Sequence, residues 1–479
     1  MIELEGVSYA YPRTVKDAVS GISLSVRPGE CIMITGPSGS GKTTLCMAAA
    51  GILEHEYGGK KTGTVTLFGK DVKEYKGISD ISGHVGMVFD DPEAQLLFTT
   101  VEEELLSALE RRGLSPDEVK ARLDTVMEIT HLTSLRNRAP HALSGGQKQR
   151  VVLAATLVLG TDILILDEPT AELDERGTES ILSILRDLKT RGKTIILTEH
   201  KFARFRDLID RLVVLEEGRI RSMGPSDSIE WDEYVRGVLF PDFSGIRDFA
   251  IPAMPPDRPP LITVRGLEYR YGDIPALRGV NLEIQPGEFI AIVGQNGSGK
   301  TTLIKHFIGL LRPSEGEVIV NGKDSKISAV SDLAHTVGLV FQNPDHMFFA
   351  DTVEEEIAFG IDNLGIADKD RVLEEALQET GLVHARSLYP RWLSRGERQR
   401  LAIACVLAMQ PQVIILDEPT TGLDGREARE IMELLKHLQR DGRTIVMVTH
   451  SRQIAEECAD RVITMEEGRI ISDTRGGPT

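Results

Sequence analysis

Two segments of the chain match the glycine-rich pattern G-x-x-x-x-G-K-[ST], which is typical of a loop that binds phosphate groups. Each segment follows an apolar run and leads into a stretch of helical composition, at 43–50 and 301–309. Glycines let backbone N–H groups converge on phosphate oxygens, and the lysine meets the β- and γ-phosphates of a nucleotide. The predicted phosphate-binding residues are Gly36, Pro37, Ser38, Gly39, Ser40, Gly41, Lys42, Thr43 and Thr44 in the first loop and Gly294, Gln295, Asn296, Gly297, Ser298, Gly299, Lys300, Thr301 and Thr302 in the second.

An acidic pair follows each loop at the end of an apolar run. Asp167 and Asp417 are therefore expected at the carboxyl edge of a sheet, where ligands bind in open α/β folds. Mg²⁺ is the predicted cofactor, because an aspartate can hold it through water and the loop threonine can bind it directly. The candidate magnesium ligands are Thr43, Asp167, Thr301 and Asp417.

A glutamate and a histidine complete each set of candidate catalytic residues. Glu168 and Glu418 are placed to polarise an attacking water. His200 and His450 each follow the aspartate by 33 positions and could contact the γ-phosphate or orient the water. The alternative is a pair of solvated strand-end acids and an ordinary strand-end histidine. The equal spacing in both halves disfavours this alternative.

A second phosphate-binding pattern lies between the loop and the acidic pair of each half. A serine and neighbouring N–H groups at a helix start can bind an anion, although the same pattern is also a common helix cap. The residues concerned are Ser144, Gly145 and Gly146 in the first half and Ser394, Arg395 and Gly396 in the second.

The surrounding pattern predicts two α/β domains that position these residues. Each half opens with alternating apolar and polar residues, typical of a half-buried antiparallel strand, at 2–9 and 262–269. Later apolar runs are continuous, as in parallel strands covered by helices on both faces: 31–35, 163–166, 194–198, 289–293, 413–416 and 444–448. Helical stretches at 100–129 and 352–381 indicate an inserted helical subdomain. We expect domains at 1–232 and 261–479, joined by a proline-rich linker at 233–260.

Composition excludes several classes of protein. The formal net charge of −18 over 479 residues argues against nucleic acid as the main partner, since such proteins usually carry a basic excess. Four scattered cysteines argue against zinc, an iron–sulfur cluster or a disulfide framework, and suit a reducing cytoplasm. No apolar run is long enough to cross a bilayer, and the first residues do not suggest a secretion signal.

The motif set resembles that of the ATP-binding cassette (ABC) ATPases. LSGGQKQR with ILILDEPT in the first half, and LSRGERQR with IILDEPT in the second, are similar to the family's signature and Walker B motifs. The resemblance implies two P-loop NTPase domains that bind ATP with Mg²⁺ and hydrolyse it. It implies that Tyr11 and Tyr271 stack on adenine. It also implies that the domains close head to tail, so that each ATP lies between one phosphate loop and the signature of the other domain.

Within this family, the chain resembles the energy-coupling-factor (ECF) importers of vitamins and of cobalt or nickel. The resemblance rests on 88–95 with 100–104 and on 340–346 with 352–356. It implies a transmembrane transporter subunit and a substrate-capture membrane subunit as partners, and a peripheral position on the cytoplasmic face of the cell membrane. It also implies that a glutamine senses the γ-phosphate and Mg²⁺ and couples to the membrane partner. Gln342 fills that role in the second half, which makes it a further metal candidate.

The two halves depart from the family pattern unequally. Asp90 occupies the position that matches Gln342, Arg395 replaces a signature glycine and Glu397 replaces a glutamine. Head-to-tail pairing would put all three departures in the composite site with Lys42. We therefore predict that the site built from Lys300, Glu418 and the Ser144 signature hydrolyses ATP faster. The alternative is neutral variation, because Glu168 and His200 are both kept.

Two other functions compete with ECF-type import. A fused sugar-import ATPase usually loses one phosphate loop, and both are intact here. Soluble twin-cassette proteins of translation or ribosome recycling carry long charged linkers or a cysteine-rich region. The proline-rich linker, the four scattered cysteines and the acidic balance disfavour that reading.

Overall fold

The computed structural model describes residues 1–12, 14, 16–110, 112–171, 173–200, 202–227, 233–239, 242–247 and 259–474. The chain divides into two compact units, Met1–Pro241 and Asp242–Thr479. Each unit contains a six-stranded sheet and a four-stranded sheet. This confirms the predicted fold class of two α/β domains.

The elements of the first unit follow one another as β1 (Ile2–Ala10), β2 (Val19–Val26), β3 (Cys31–Thr35), α1 (Lys42–Ala49), α2 (Ile52–His55), β4 (Lys60–Leu67), β5 (Lys70–Asp71), α3 (Ile78–Ile81), β6 (Val85–Val88), α4 (Val101–Ser107), α5 (Pro116–Ile129), α6 (Gly145–Leu157), β7 (Ile163–Asp167), α7 (Glu175–Thr190), β8 (Thr194–Thr198), α8 (Phe202–Phe205), β9 (Arg211–Glu216), β10 (Arg219–Pro225) and α9 (Glu233–Leu239). The second unit repeats the order up to β10, except that its described residues have no counterpart of α2: β11 (Ile262–Tyr271), β12 (Ile274–Ile284), β13 (Phe289–Val293), α10 (Lys300–Phe307), β14 (Glu315–Val320), β15 (Lys323–Asp324), α11 (Val330–Ala334), β16 (Val337–Val340), α12 (Val353–Leu364), α13 (Lys369–Glu379), α14 (Arg395–Ala408), β17 (Val413–Asp417), α15 (Gly425–Arg440), β18 (Thr444–Thr449), α16 (Arg452–Cys458), β19 (Arg461–Glu466) and β20 (Arg469–Asp473).

The six-stranded sheet carries the candidate catalytic residues at its strand ends. Its order is β10-β9-β3-β8-β7-β6 in the first unit, and the second unit has the matching order β20-β19-β13-β18-β17-β16. All pairs are parallel except β9–β10 and β19–β20. Strands β3, β7 and β8 are buried along their whole length, as their continuous apolar sequences predict.

The smaller sheet in each unit is antiparallel and has one solvated face. Its order is β2-β1-β4-β5 in the first unit and β12-β11-β14-β15 in the second. Alternate residues of β1 at its start, such as Ile2 and Leu4, are buried beside exposed glutamates. The sheet packs over the phosphate-loop helix, because one apolar cluster contains both Leu4 of β1 and Leu45 of α1.

The predicted helical insertions are present as α4 with α5 and as α12 with α13. Their helix starts are encoded locally, since the hydroxyl groups of Thr100 and Thr352 accept the N–H groups of Glu103 and Glu355. Ser115 forms a reciprocal capping box with Glu118 at the start of α5. In each unit the insertion shares an apolar core with the helix that follows the signature serine, which is α6 in the first unit and α14 in the second.

The segment predicted as a linker is partly folded. Helix α9 buries Val235, Val238 and Leu239 in the core of the first unit. Phe243 and Ile246 are buried in the core of the second unit. The division between the units thus falls inside the predicted linker, and 240–241 and 248–258 lie outside the described residues. In the part of the chain that the structure covers, no helix is long and apolar enough to span a membrane.

Candidate functional site

The phosphate loops occupy the turn between β3 and α1 and the turn between β13 and α10. Gly36 and Gly294 have φ values of 149° and 158°. A Cβ atom on either glycine would lie 2.3 Å from a backbone carbonyl oxygen, that of Leu215 or Met465. Glycine is required at both positions because backbone from a neighbouring strand end closes over the loop.

Each loop lysine folds back over its own loop. The Lys42 ammonium donates to the carbonyl oxygens of Gly36 and Pro37 at 3.0 and 3.1 Å. In the second unit the Lys300 ammonium donates to Gly294 at 2.8 Å and to Gln295 at 3.0 Å. Both lysine side chains are buried, so each positive charge is fixed beside the converging N–H groups that phosphate oxygens require.

Two of the predicted magnesium ligands, a threonine and an aspartate, lie in hydrogen-bond contact in each unit. Thr301 donates its hydroxyl to Asp417 Oδ2 at 2.9 Å, and Thr43 hydrogen-bonds to Asp167. Burial raises the pKa of each aspartate to about 6, and the threonine hydrogen bond opposes that rise. Each aspartate is therefore a desolvated carboxylate that a nearby cation would hold in its ionised form.

These donors fit Mg²⁺. Asp417 Oδ1 is buried and has no hydrogen-bond partner among the described residues. The same residues contain no group of three or more histidine, cysteine, aspartate or glutamate side chains that could enclose a metal ion. Mg²⁺ is typically held by one or two protein carboxylates, with waters and substrate phosphates completing its octahedron. One hydroxyl and one aspartate beside a phosphate loop match that preference.

The predicted catalytic glutamates lie beside the predicted histidines. His200 Nε2 is 3.0 Å from Glu168 Oε1, and His450 Nδ1 is 2.9 Å from Glu418 Oε2. The two glutamates have φ values of 45° and 52°, a left-handed conformation that is strained for a residue with a side chain. Strain of this kind is retained where the surrounding structure over-determines it, often at a reactive site.

The glutamine position differs between the units as the sequence indicates. Asp90 and Gln342 are both exposed, two residues beyond the ends of β6 and β16. Among the causes that raise the pKa of Asp167, burial is the largest and the charge of Asp90 is a smaller one. Asp90 therefore adds negative potential at the predicted magnesium ligand of the first unit.

The signature serines start the helices α6 and α14. The Ser144 N–H donates to the Gln147 side chain at 3.0 Å, and the Ser394 N–H donates to Glu397 Oε2 at 2.8 Å. Glu397 thus keeps the capping role of the glutamine that it replaces. His384 Nε2 lies 3.0 Å from Glu397 Oε1, and hydrogen bonds from Ser394 and His384 hold the pKa of Glu397 below its usual value despite its partial burial.

Arg395 lies against its own domain's segment after Glu418. A Cβ atom on Gly422 would be 2.3 Å from the guanidinium carbon of Arg395, so the guanidinium covers that glycine. Gly422 has a φ value of 71°, which favours glycine there. The predicted placement of Arg395 in a composite site with Lys42 and Asp90 concerns two different units and stays a prediction.

The two tyrosines predicted to stack on adenine have different surroundings. Tyr271 is 48% exposed and has only an edge contact with Tyr269 among the ring contacts of the described residues. Tyr11 is partly buried between Tyr9 and Tyr57 and shares a hydrogen bond of 3.2 Å with the Thr44 hydroxyl. Tyr271 is the more accessible of the two rings.

Two residues of the first unit escaped the sequence reasoning. Thr198 donates its hydroxyl to Asp167 Oδ1 at 2.6 Å and accepts the Glu168 N–H at 2.8 Å. Glu199 is a carboxylate with 2% exposure, next to His200. The second unit has Val448 and Thr449 at the corresponding positions. The sequence did contain a sign of this difference between the units, because Thr198 and Glu199 precede the histidine in the first unit and Val448 and Thr449 precede it in the second.

Comparison with known proteins gives a consistent family. The sequence profile described as "ABC transporter" matches residues 19–171 and 277–421. A proposed ABC transporter ATP-binding protein of Methanosarcina mazei is 48% identical over 480 residues, covering 100% of this chain and 95% of that protein. A similarly named protein of Caldanaerobacter subterraneus is 38% identical and covers 95% and 88%.

Two solved structures are similar to a part of the chain. CbiO1 from Clostridium perfringens, described as part of the ABC transporter complex CbiONQ, is 39% identical. The match covers 45% of this chain and 88% of CbiO1, with a TM-score of 0.43. A dimeric ATP-binding cassette bound to ADP and Pi is 31% identical and covers 44% and 97%, with a TM-score of 0.41.

Proposed function

The chain belongs to the ABC transporter family as an ATP-hydrolysing component, and we propose that it is the energy-coupling subunit of an ECF-type importer of vitamins or of cobalt or nickel ions. The observation that carries the proposal is that both units keep a full hydrolytic set, each holding a loop lysine, an aspartate and a glutamate–histidine pair. The sequence resemblance at 88–95 and 340–346 supports the ECF class.

The residues of each site have separate tasks in the proposed reaction. The loop N–H groups, with Lys42 or Lys300, hold the phosphates of ATP. Thr43 with Asp167, and Thr301 with Gln342 and Asp417, would hold Mg²⁺, which supplies charge neutralisation for the phosphates when bound.

Hydrolysis then requires a water that attacks the γ-phosphorus. Glu168 or Glu418 accepts a proton from that water as its oxygen bonds to phosphorus, and the bond to the bridging oxygen breaks to give ADP and phosphate. His200 or His450 fixes the glutamate through the ring contacts of about 3 Å. Preorganisation of this kind lowers the barrier because little rearrangement is needed at the moment of reaction.

We also propose that the two sites are composite and unequal. In the head-to-tail arrangement of the family, Lys42 and Asp90 would face Ser394, Arg395 and Gly396. Lys300 and Gln342 would face Ser144, Gly145 and Gly146. The added charge of Asp90 at Asp167 supports slower hydrolysis at the first site. The replacement of glutamine by Glu397 is weaker support for slower hydrolysis, since Glu397 still caps its helix.

The asymmetry is tested by removing each glutamate in turn. Glu418→Gln should lower ATP turnover more than Glu168→Gln, because the faster site contributes more of the total. Steady-state ATPase rates of the two variants at saturating ATP measure the difference. Equal losses would contradict unequal sites while leaving the ATPase assignment intact.

Apolar surface next to the Asp90 and Gln342 loops supports a membrane partner. A cavity of about 300 Å³ in the first unit is lined by apolar side chains, including Ile78, Met87 and Phe89. Close by in sequence, Leu97 is 82% exposed, and Phe349 follows the Gln342 loop with 65% exposure. We propose that helices of the transmembrane subunit dock here, with the substrate-capture subunit joined through it and the chain peripheral on the cytoplasmic face.

Copurification tests the transporter assignment. The tagged chain should recover a transmembrane subunit from detergent-solubilised membranes of its own organism. Leu97→Asp combined with Phe349→Asp should abolish that recovery without reducing the ATPase of the isolated chain. Ile327→Asp is a matched control, because Ile327 is 83% exposed and lies outside these loops. Recovery of ribosomes instead would contradict the proposal.

A further inference from the structure

The histidine that follows β8 in the first unit and β18 in the second is anchored differently in the two units. In the second unit, one oxygen of Glu418 holds both the backbone and the ring of His450. The His450 N–H donates to Glu418 Oε2 at 3.3 Å, and His450 Nδ1 lies 2.9 Å from the same oxygen. The carboxylate proposed to activate water is therefore also the anchor of the histidine segment.

In the first unit these two tasks fall to different carboxylates. The His200 N–H donates to Glu199 Oε2 at 3.3 Å, whereas Glu168 meets the ring at Nε2. The other oxygen of Glu199 accepts two hydrogen bonds from Thr170, from its N–H at 3.0 Å and from its hydroxyl at 2.5 Å. Glu199 thereby ties the end of β8 to the turn that follows Glu168.

The hydrogen bonds of Glu199 lie in the interior of the first unit. Glu199 is 2% exposed and Thr170 is fully buried. Hydrogen bonds to a charged acceptor in a low-dielectric interior are stronger than those between neutral groups. In the second unit, Thr449 stands at this position, and its hydroxyl accepts the Ser451 N–H at 3.1 Å. That bond belongs to the next helix start and does not reach His450.

We propose that Glu199 is a positioning residue of the first ATPase site. It holds the His200 backbone and the Thr170 turn in place independently of Glu168, so that Glu168 can change its partner during hydrolysis without releasing the histidine. Glu418 carries both tasks in the second site. The inference rests on the roles proposed above for the glutamate–histidine pairs.

Amide hydrogen exchange at single-residue resolution separates the two arrangements. In the full-length protein, Glu199→Thr and Glu199→Gln should speed exchange at the His200 N–H by about tenfold, the effect of losing one hydrogen bond. Glu168→Ala should leave that rate within about twofold of the native protein. In the second unit the pattern reverses: Glu418→Ala speeds exchange at His450 and Thr449→Val does not.

Glu199→Gln distinguishes positioning from general destabilisation. Its single carbonyl oxygen can still accept from Thr170, while its NH₂ group cannot accept from His200. We expect the protection of the Thr170 turn to survive in this variant and to be lost in Glu199→Thr. Unchanged exchange at His200 in both Glu199 variants, or equal acceleration by Glu168→Ala, would overturn the proposal.

Kinetics provide the functional readout. In a Glu418→Gln background, where the first site supplies the turnover, Glu199→Thr should lower kcat for ATP about threefold to tenfold and change KM by less than about twofold, because positioning affects the chemical step rather than uniform binding. In the otherwise native protein, Thr449→Val should leave both constants unchanged. A rise in KM with unchanged kcat would overturn the positioning role. Absence of ATP turnover in the native protein would refute the ATPase proposal instead, and the exchange pattern would be unaffected by that result.

Discussion

Replacing the buried aspartate of the second site should stabilise the protein and inactivate that site. Asp417 is a desolvated carboxylate whose Oδ1 has no hydrogen-bond partner among the described residues. Asp417→Asn removes the charge and keeps the shape, and its carbonyl oxygen can still accept from Thr301. In the absence of Mg²⁺ and nucleotide, the native protein carries the cost of this buried charge and the variant does not.

The magnitude follows from the pKa. Burial raises the pKa of Asp417 from 3.8 to about 6, so the folded state binds the proton more tightly than the unfolded state. Above pH 6 the ionised form therefore lowers the free energy of unfolding, by about 3 kcal/mol at 1.36 kcal/mol per pKa unit. As the pH falls through the folded pKa, the cost shrinks, and at pH 5 it is about half as large.

The assay is urea unfolding of the full chain in EDTA without nucleotide, followed by circular dichroism at pH 8 and pH 5. Asp417→Asn should unfold at higher urea than the native protein, and the gain at pH 8 should be about twice the gain at pH 5. Asp273→Asn is the control, because Asp273 is an exposed residue of the turn between β11 and β12. An equal gain at both pH values, or no gain at pH 8, would refute the argument.

Three further changes have expected outcomes of different kinds. Gly294→Ala should abolish ATP binding at the second loop, since its Cβ would lie 2.3 Å from the Met465 carbonyl oxygen. Titration with fluorescent ATP in a Lys42→Ala background measures the loss at this loop. Retained affinity would contradict the loop geometry. Ser115→Ala should lower the free energy of unfolding by about 1 kcal/mol, because the capping box of α5 is lost; an unchanged urea midpoint would show that the cap is dispensable. Glu356→Ala should destabilise the second unit by about 1 to 3 kcal/mol, because the buried Glu356 carboxylate accepts hydrogen bonds from the N–H groups of Phe349 and Ala350. Glu356→Gln keeps an acceptor oxygen and should retain most of the stability. Equal losses of stability in calorimetry would argue against the acceptor role.

Most of the fold and the core of each site could be predicted from the sequence, because these depend on short local patterns. A phosphate loop needs glycine and lysine at fixed spacing, so the amino-acid sequence is enough to identify Lys42 and Lys300. Continuous apolar runs identified β3, β7 and β8, since strands covered on both faces have no polar side. The linker was predicted less well. Helix α9 buries one face against the first unit, and its short apolar pattern is too weak to distinguish from a loop.

The amino-acid sequence alone was thus enough to identify the residues of this protein that could carry chemistry. How those residues are held depends on contacts that form only in the folded chain. Glu199 and Thr170 are far apart in the chain, and they meet because β7 and β8 are parallel neighbours whose carboxyl ends share one edge of the sheet. At this edge His200 faces its glutamate with Nε2, whereas at the matching edge of the second unit His450 faces its glutamate with Nδ1. Spacing along a chain cannot encode such contacts, because the direction of a buried side chain is set by all the elements that pack around it.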